Sequence, residues 1–119
     1  MGLMTVVVMF DCDGTLEIGN PSGYVRREDL DWLVSKGFIA VNVSESPNCA
    51  SLNIPRVIAP GNRLQALLKA KEQFKPDACV YVSDNPGDNV VAKQAGCLYV
   101  HPEFWSEFRW LLIQELEMV

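Results

Sequence analysis

Five consecutive apolar residues, Val6-Val7-Val8-Met9-Phe10, run directly into Asp11-Cys12-Asp13-Gly14-Thr15. A strand with one face in water alternates apolar and polar positions, because successive side chains point to opposite faces. An unbroken run needs cover on both faces, which is the condition of a strand inside a parallel sheet. That requirement obliges the rest of the chain to supply neighbouring strands and two layers of helix.

The sequence supplies them in alternation. Arg26 to Lys36 carries Leu30, Leu33 and Val34 at helical spacing, and Gly37 follows as a stop. Phe38 to Val43 reads as a second strand, Arg56 to Ala59 as a short third, Ala78 to Val82 as a fourth and Cys97 to Val100 as a fifth. Pro60-Gly61-Asn62 opens a helix to about Phe74, with Leu64, Leu67 and Leu68 on one face. Further helices are expected from Asp88 to Gln94, stopped by Gly96, and from Glu103 to Glu117. Glu17 to Gly23 is turn chemistry and reads as a short loop or hairpin. The predicted architecture is an α/β domain spanning 1–119: a doubly wound, mostly parallel five-stranded sheet with helices on both faces.

Composition narrows the function. Ten Lys and Arg stand against fifteen Asp and Glu, for a net charge of −5, so a general nucleic-acid or anionic-membrane binder is not expected. No apolar run approaches the roughly 20 residues that span a bilayer. The apolar start from Leu3 to Phe10 lacks a basic leader and a small-residue cleavage site, so it is not read as a signal peptide, and a cytoplasmic location is expected. The four cysteines, Cys12, Cys49, Cys79 and Cys97, form no C-x-x-C pair and read as buried free thiols of a reduced compartment. With a single histidine in the chain, zinc is set aside.

In an open parallel sheet, ligands bind beyond the carboxyl ends of the strands. The polar residues gather there: Asp11 and Asp13 after the first strand, Ser44 after the second, Asp84 and Asp88 after the fourth. Clustered carboxylates repel one another and call for a hard cation such as Mg²⁺, whose usual partner is a phosphate. An Asp-x-Asp-Gly segment alone has a plainer, less weighted reading as a helix-capping turn. A second Asp pair at another strand end weakens that reading.

Phe10-Asp11-Cys12-Asp13-Gly14-Thr15-Leu16 resembles the first motif of the haloacid dehalogenase superfamily in its phosphatase form. Val82-Ser83-Asp84-Asn85-Pro86-Gly87-Asp88, followed by Ala92 and Ala95-Gly96, resembles the fourth, and Val41-Asn42-Val43-Ser44 fits the second. Arg63, at a helix opening, stands where similar small phosphatases place the cation of the third motif; Lys69 is the alternative, while Lys71 reads as a solvated charge. The resemblance implies phosphomonoester hydrolysis through an aspartyl-phosphate. Asp11 would be the nucleophile and Asp13 the general acid and base; Ser44 and Arg63 would hold the phosphoryl group. Mg²⁺ would be held by Asp11, the Asp13 backbone carbonyl and Asp84, with Asp88 as a second acidic support. Cys12, between the two carboxylates, reads as packing.

The intervals from Thr15 to Ser44 and from Ser44 to Arg63 are too short for the cap domain that many relatives insert. An open site is therefore expected, for a phosphorylated small molecule or an exposed phosphate on a larger substrate. On the last helix Trp105, Phe108, Leu112 and Leu116 make one apolar face, and Trp110, Leu111 and Ile113 add apolar surface elsewhere. That pattern admits a homo-oligomer through 103–117, or a helix buried in its own domain. Two other functions compete. A catalytically silent relative could serve as a binding or assembly subunit. A phospho-accepting receiver domain needs an Asp after its third strand and a Lys after its fifth, where this chain has Pro60 and His101-Pro102.

Overall fold

The Val6–Phe10 run forms strand β1, and it lies inside a parallel sheet with β2 (Ile39–Asn42) on one side and β3 (Ala78–Val82) on the other. β4 (Leu98–Val100) extends the sheet beyond β3, giving the order β2-β1-β3-β4. The computed structural model describes residues 4–118, with 113 and 115–118 described by backbone alone. Helices α1 (Arg27–Ser35), α2 (Arg63–Phe74), α3 (Asp88–Gln94) and α4 (Trp105–Met118) make the remaining layers. No helix among the described residues is long and apolar enough to cross a membrane.

The two faces of β1 explain its unbroken apolar run. Val8 and Phe10 pack with Leu30 and Leu33 of α1 and Trp105 of α4. Val7 and Met9 pack with Ala66, Leu67 and Ala70 of α2 and Ala92 of α3. All four strand residues are fully buried, so both faces of the strand are dry. Small residues on α2 and α3 let those helices lie close to the sheet, while Phe10 and Trp105 meet edge to face at 5.5 Å across the other side.

Local chemistry sets the helix ends. Asn62 Oδ1 accepts a hydrogen bond from Gln65 N at 3.1 Å and caps α2. Asp29 accepts from Arg26 N at 2.8 Å at the start of α1, and its other oxygen accepts from Arg109 Nη1 at 2.9 Å. The Arg109 guanidinium also lies over the Trp32 ring at 4.6 Å, so one cation ties α4 to α1. Before α4 the chain makes a 3₁₀ turn, Pro102–Phe104, capped by His101 Nδ1 accepting from Glu103 N. On α4, Trp105 is buried, Phe108 and Leu112 pack against the core, and Trp110 and Leu111 are exposed. The side chains of Ile113 and Leu116 lie outside the described residues.

Two expectations are corrected. The sheet has four strands, because Arg56 to Ala59 meets it at a single bridge opposite Asn42. Asn42 N donates to Pro55 O and Val57 N to Asn42 O, both at 2.9 Å, and the ladder goes no further. Pro55 has no N–H to offer, and the Arg56 side chain turns back to donate to the Ser44 carbonyl at 2.8 Å and to the Ser46 carbonyl. The segment thus braces the loop after β2. The second correction concerns the thiols: Cys12 and Cys49 are joined in a disulfide, while Cys79 and Cys97 are free and buried. Cys12 does point into the core, but the 3₁₀ turn Pro47–Cys49 brings Cys49 to meet it, with Cα atoms 6.1 Å apart, an ordinary span for a bridge.

The bridge closes a separation of 37 residues, for which loop-closure entropy gives about 3–4 kcal/mol. Cys49→Ser is expected to lower the unfolding free energy by that amount in denaturant titration. A loss below about 1 kcal/mol would show that the bridge contributes little to the fold.

Candidate functional site

The strand order places a reversal between β1 and β3, since the chain leaves β1 toward β2 and later returns on the other side. Crevices at such reversals, beyond the carboxyl ends of the strands, are where open parallel sheets bind ligands. Asp11 follows β1 directly and Asp84 lies just after β3. The two carboxylates that the sequence singles out therefore flank this crevice.

Asp11 is held in place by its surroundings. Its backbone N donates to Val82 O at 3.0 Å, and its Oδ1 accepts from Cys12 N at 2.8 Å. Arg63 Nη1, from the first residue of α2, lies 3.2 Å from the same Oδ1. Asp11 Oδ1 is thus turned to protein donors, which leaves Oδ2 as the oxygen with reactive capacity. The Arg63 guanidinium also donates to Tyr81 Oη, whose own hydrogen goes to Asp88 Oδ2 at 3.0 Å. Burial works against the charge on Arg63, yet Tyr81 and Asp11 together raise its pKa above the ordinary arginine value. Lys69, the alternative cation, donates to the Ile58 carbonyl at 3.0 Å instead. Lys71 donates to Ala95 O at 2.6 Å.

Asp84 stands over the turn of the first motif. Its backbone N donates to Thr15 Oγ1 at 3.1 Å, which welds the fourth motif to the first. Gly14 adopts φ +77°, and a Cβ there would overlap the Asp84 carboxylate, so the glycine is needed both for the turn and for this close approach. Desolvation by burial, followed by the charge of Asp11, raises the Asp84 pKa. A carboxylate whose proton affinity is raised by burial and by a second carboxylate is one that a cation would suit.

Asp13 and Asp88 are engaged otherwise than the sequence suggests. Asp13 Oδ1 accepts from Asn20 N at 2.8 Å and Asn48 Nδ2 at 2.9 Å, and these bonds, the Asn20 one foremost, lower its pKa. Asp88 Oδ2 accepts from Ser83 Oγ at 2.7 Å as well as from Tyr81. Its place is behind Arg63 and the β3 loop, as a support. Ser44 is buried at the end of the β2 segment; its Oγ accepts from Ser46 N at 3.1 Å, which leaves the hydroxyl hydrogen to donate. Tyr81, Thr15, Asn20 and Asn48 complete the site without having been singled out. Thr15 lay within the first motif, and Tyr81 within a strand that showed only hydrophobicity. Asn48 had no sequence signal at all.

Among the described residues, no three His, Cys, Asp or Glu side chains gather into a ready metal cage. Mg²⁺ does not require one, since it is held by one or two carboxylates, its own waters and substrate phosphate. Asp11 and Asp84, the latter partly desolvated and repelled by the former, fit that donor set. Asp13 Oδ1 and Asp88 Oδ2 each accept two hydrogen bonds from protein donors. Comparison of the sequence with protein-family models and with curated proteins gives no match.

The raised Asp84 pKa carries a sign that can be checked without a substrate. A carboxyl whose folded pKa exceeds its unfolded value binds protons more tightly in the folded state, so it destabilises the fold as pH rises through the folded pKa. Asp84→Asn is therefore expected to melt above the parent at pH 7 in metal-free buffer, with the difference shrinking toward acid pH. Mg²⁺ should raise the melting temperature of the parent and leave Asp84→Asn unmoved. Equal Mg²⁺ responses in a thermal-shift titration would remove Asp84 from the metal site.

Proposed function

We propose that this chain is a small, capless phosphatase of the haloacid dehalogenase type, with a doubly wound core, hydrolysing a phosphomonoester with Mg²⁺ bound between Asp11 and Asp84. The observation that carries the reading is the position of Asp11. It ends the central strand at the topological reversal, with one oxygen fixed by Cys12 N and Arg63 and Asp84 opposite.

Asp11 Oδ2 attacks phosphorus in line; the bond to the ester oxygen breaks, and the leaving oxygen takes a proton from Asp13. Arg63 and the Ser44 hydroxyl bind the equatorial phosphoryl oxygens as charge spreads over them. Bound Mg²⁺ supplies charge neutralisation for the phosphate approaching two carboxylates. Water then attacks the aspartyl-phosphate, passing its proton to Asp13, and Asp11 is regenerated with release of inorganic phosphate. The two donors on Asp13 favour its charged form, which suits the base role in the second step. The same donors are the one observation that favours a catalytically silent binding subunit, because a carboxyl held in its ionised form has no proton to give a leaving group. An open site suits a phosphate displayed on a large substrate, while the exposed Trp110 and Leu111 of α4 offer a surface for a second copy.

With an aryl phosphate as probe, hydrolysis is expected to require Mg²⁺ and to stop with EDTA. Asp11→Asn should fall to background, and Asp13→Asn by about 10²–10⁴-fold, the scale of general acid–base catalysis. Undiminished activity in Asp11→Asn would refute the mechanism, and absence of hydrolysis by the parent would leave the silent subunit.

Arg63→Ala and Lys69→Ala separate the two cations. The first loses the partner of Asp11 and is expected to lose most of kcat/KM; the second loses a bond to Ile58 O and should be nearly unchanged. The reverse ranking in parallel kinetics would transfer the role to Lys69.

A further inference from the structure

The only disulfide among the described residues lies inside the candidate site. Cys12 is the residue between Asp11 and Asp13, and Cys49 follows Asn48, whose side chain donates to Asp13. The bridge therefore fixes the distance between the turn that carries both carboxylates and the loop that reaches one of them. Other restraints on this loop act elsewhere along it. Arg56 holds the Ser44 and Ser46 carbonyls, and Leu52 packs against the core. Between them, the Pro47–Cys49 turn is one turn of 3₁₀ helix, bonded by Asn48 N to Ser46 Oγ and Cys49 N to Ser46 O, each at 3.3 Å, and by Ala50 N to Pro47 O and Leu52 N to Cys49 O, each at 3.2 Å. Pro47, Asn48, Ala50 and Ser51 around Cys49 are exposed. A single turn whose backbone bonds are all local, flanked by exposed residues, is the kind of segment that opens locally while the core stays folded.

We propose that Cys12–Cys49 is a thiol–disulfide switch that governs the candidate site by holding or releasing Asn48 from Asp13; its effect on turnover rests on the phosphatase reading, while the clamp itself does not. Cys49 is itself buried, so a dithiol reductant acts once the turn has opened, by thiolate attack on Cys49 Sγ with Cys12 departing as the thiolate. The second thiol of the reductant then displaces Cys49, so two electrons and two protons leave the reductant as its own disulfide and two cysteine thiols remain. A small-molecule disulfide reverses the exchange. In the bridged state Asp13 is oriented by both Asn20 and Asn48. In the dithiol state the Asn48 contact is lost, while Ser44 stays tied to Arg56 and Arg63 stays on Asp11, since neither depends on the bridge. Asn48 is thus a positioning residue, and the switch acts on the proton-transfer steps while leaving phosphate binding in place.

The test uses the full chain under native conditions, oxidised with glutathione disulfide or reduced with dithiothreitol, then alkylated and mapped by mass spectrometry. Cys12 and Cys49 are expected to gain alkyl groups on reduction at temperatures well below melting, and amide exchange across 45–53 should rise. With an aryl phosphate, kcat should fall about ten- to hundred-fold on reduction, the scale of one hydrogen bond to a charged group, with KM nearly constant. Asn48→Ala should sit at the reduced level in both states, and Cys79→Ser should keep the full redox response. The proposal is overturned if the bridge fails to form under oxidant, if it resists reduction until the protein unfolds, or if exchange across 45–53 is the same in both states. It is also overturned if Asn48→Ala responds to reductant as the parent does. Absence of hydrolysis in both states would remove the phosphatase reading alone, and the exchange measurement would still decide the clamp.

Discussion

Repulsion between Asp11 and Asp84 is the constraint around which this end of the molecule is organised. Two parallel strands meeting at the reversal in the sheet carry their terminal carboxylates toward the same crevice, partly out of water. Left alone, such a pair would take up a proton or splay apart. The structure answers with one guanidinium, from the first turn of α2, placed against Asp11 and kept there by Tyr81. Tyr81 in turn is fixed by Asp88 at the start of α3. The chain of contacts Asp11–Arg63–Tyr81–Asp88 therefore links the central strand to both helices of one face. It pairs only one of the two carboxylates, and Asp84 is left with a raised proton affinity.

The opposite face is organised differently. There Asp29, Arg109 and Trp32 tie α4 to α1, and the Cys12–Cys49 bridge ties the first-motif turn to the loop after β2. Both devices act across long sequence separations, where packing alone leaves short loops free to move. The site thus stands between a rigid charge network on one side and a covalent clamp on the other. Gly14 is the hinge of this arrangement: its left-handed backbone lets Asp84 and Thr15 close over the turn, and any side chain there would push them apart.

Much of this was readable in the residues, and for physical reasons. The apolar runs Val6–Phe10 and Ala78–Val82 are buried on both faces, so their pattern is set by cover alone and reads correctly. The helix from Arg63 to Phe74 was announced by Asn62, a side chain that caps by itself. What the residues could not show depends on partners distant in sequence. Arg56 to Ala59 has the composition of a strand, but whether it pairs depends on where Arg56 sends its guanidinium and on Pro55 facing Asn42. Cys12 and Cys49 have no motif spacing, and their meeting follows from a loop path that only the folded core defines. Asp13 reads as a free acid–base group beside Asp11, yet Asn20 and Asn48, from two different loops, converge on one of its oxygens.

The central claim is that Asp11 accepts a phosphoryl group. Its most direct test is acid quenching of the protein during turnover of an aryl phosphate with Mg²⁺, followed by peptide mapping by mass spectrometry, using Asp13→Asn to slow hydrolysis of the intermediate. The account predicts the added mass of one phosphoryl group on the peptide containing Asp11, labile to hydroxylamine as an acyl phosphate is, and absent from Asp11→Asn. Phosphate found on another residue, or turnover with no phosphoryl group on the protein, would contradict it.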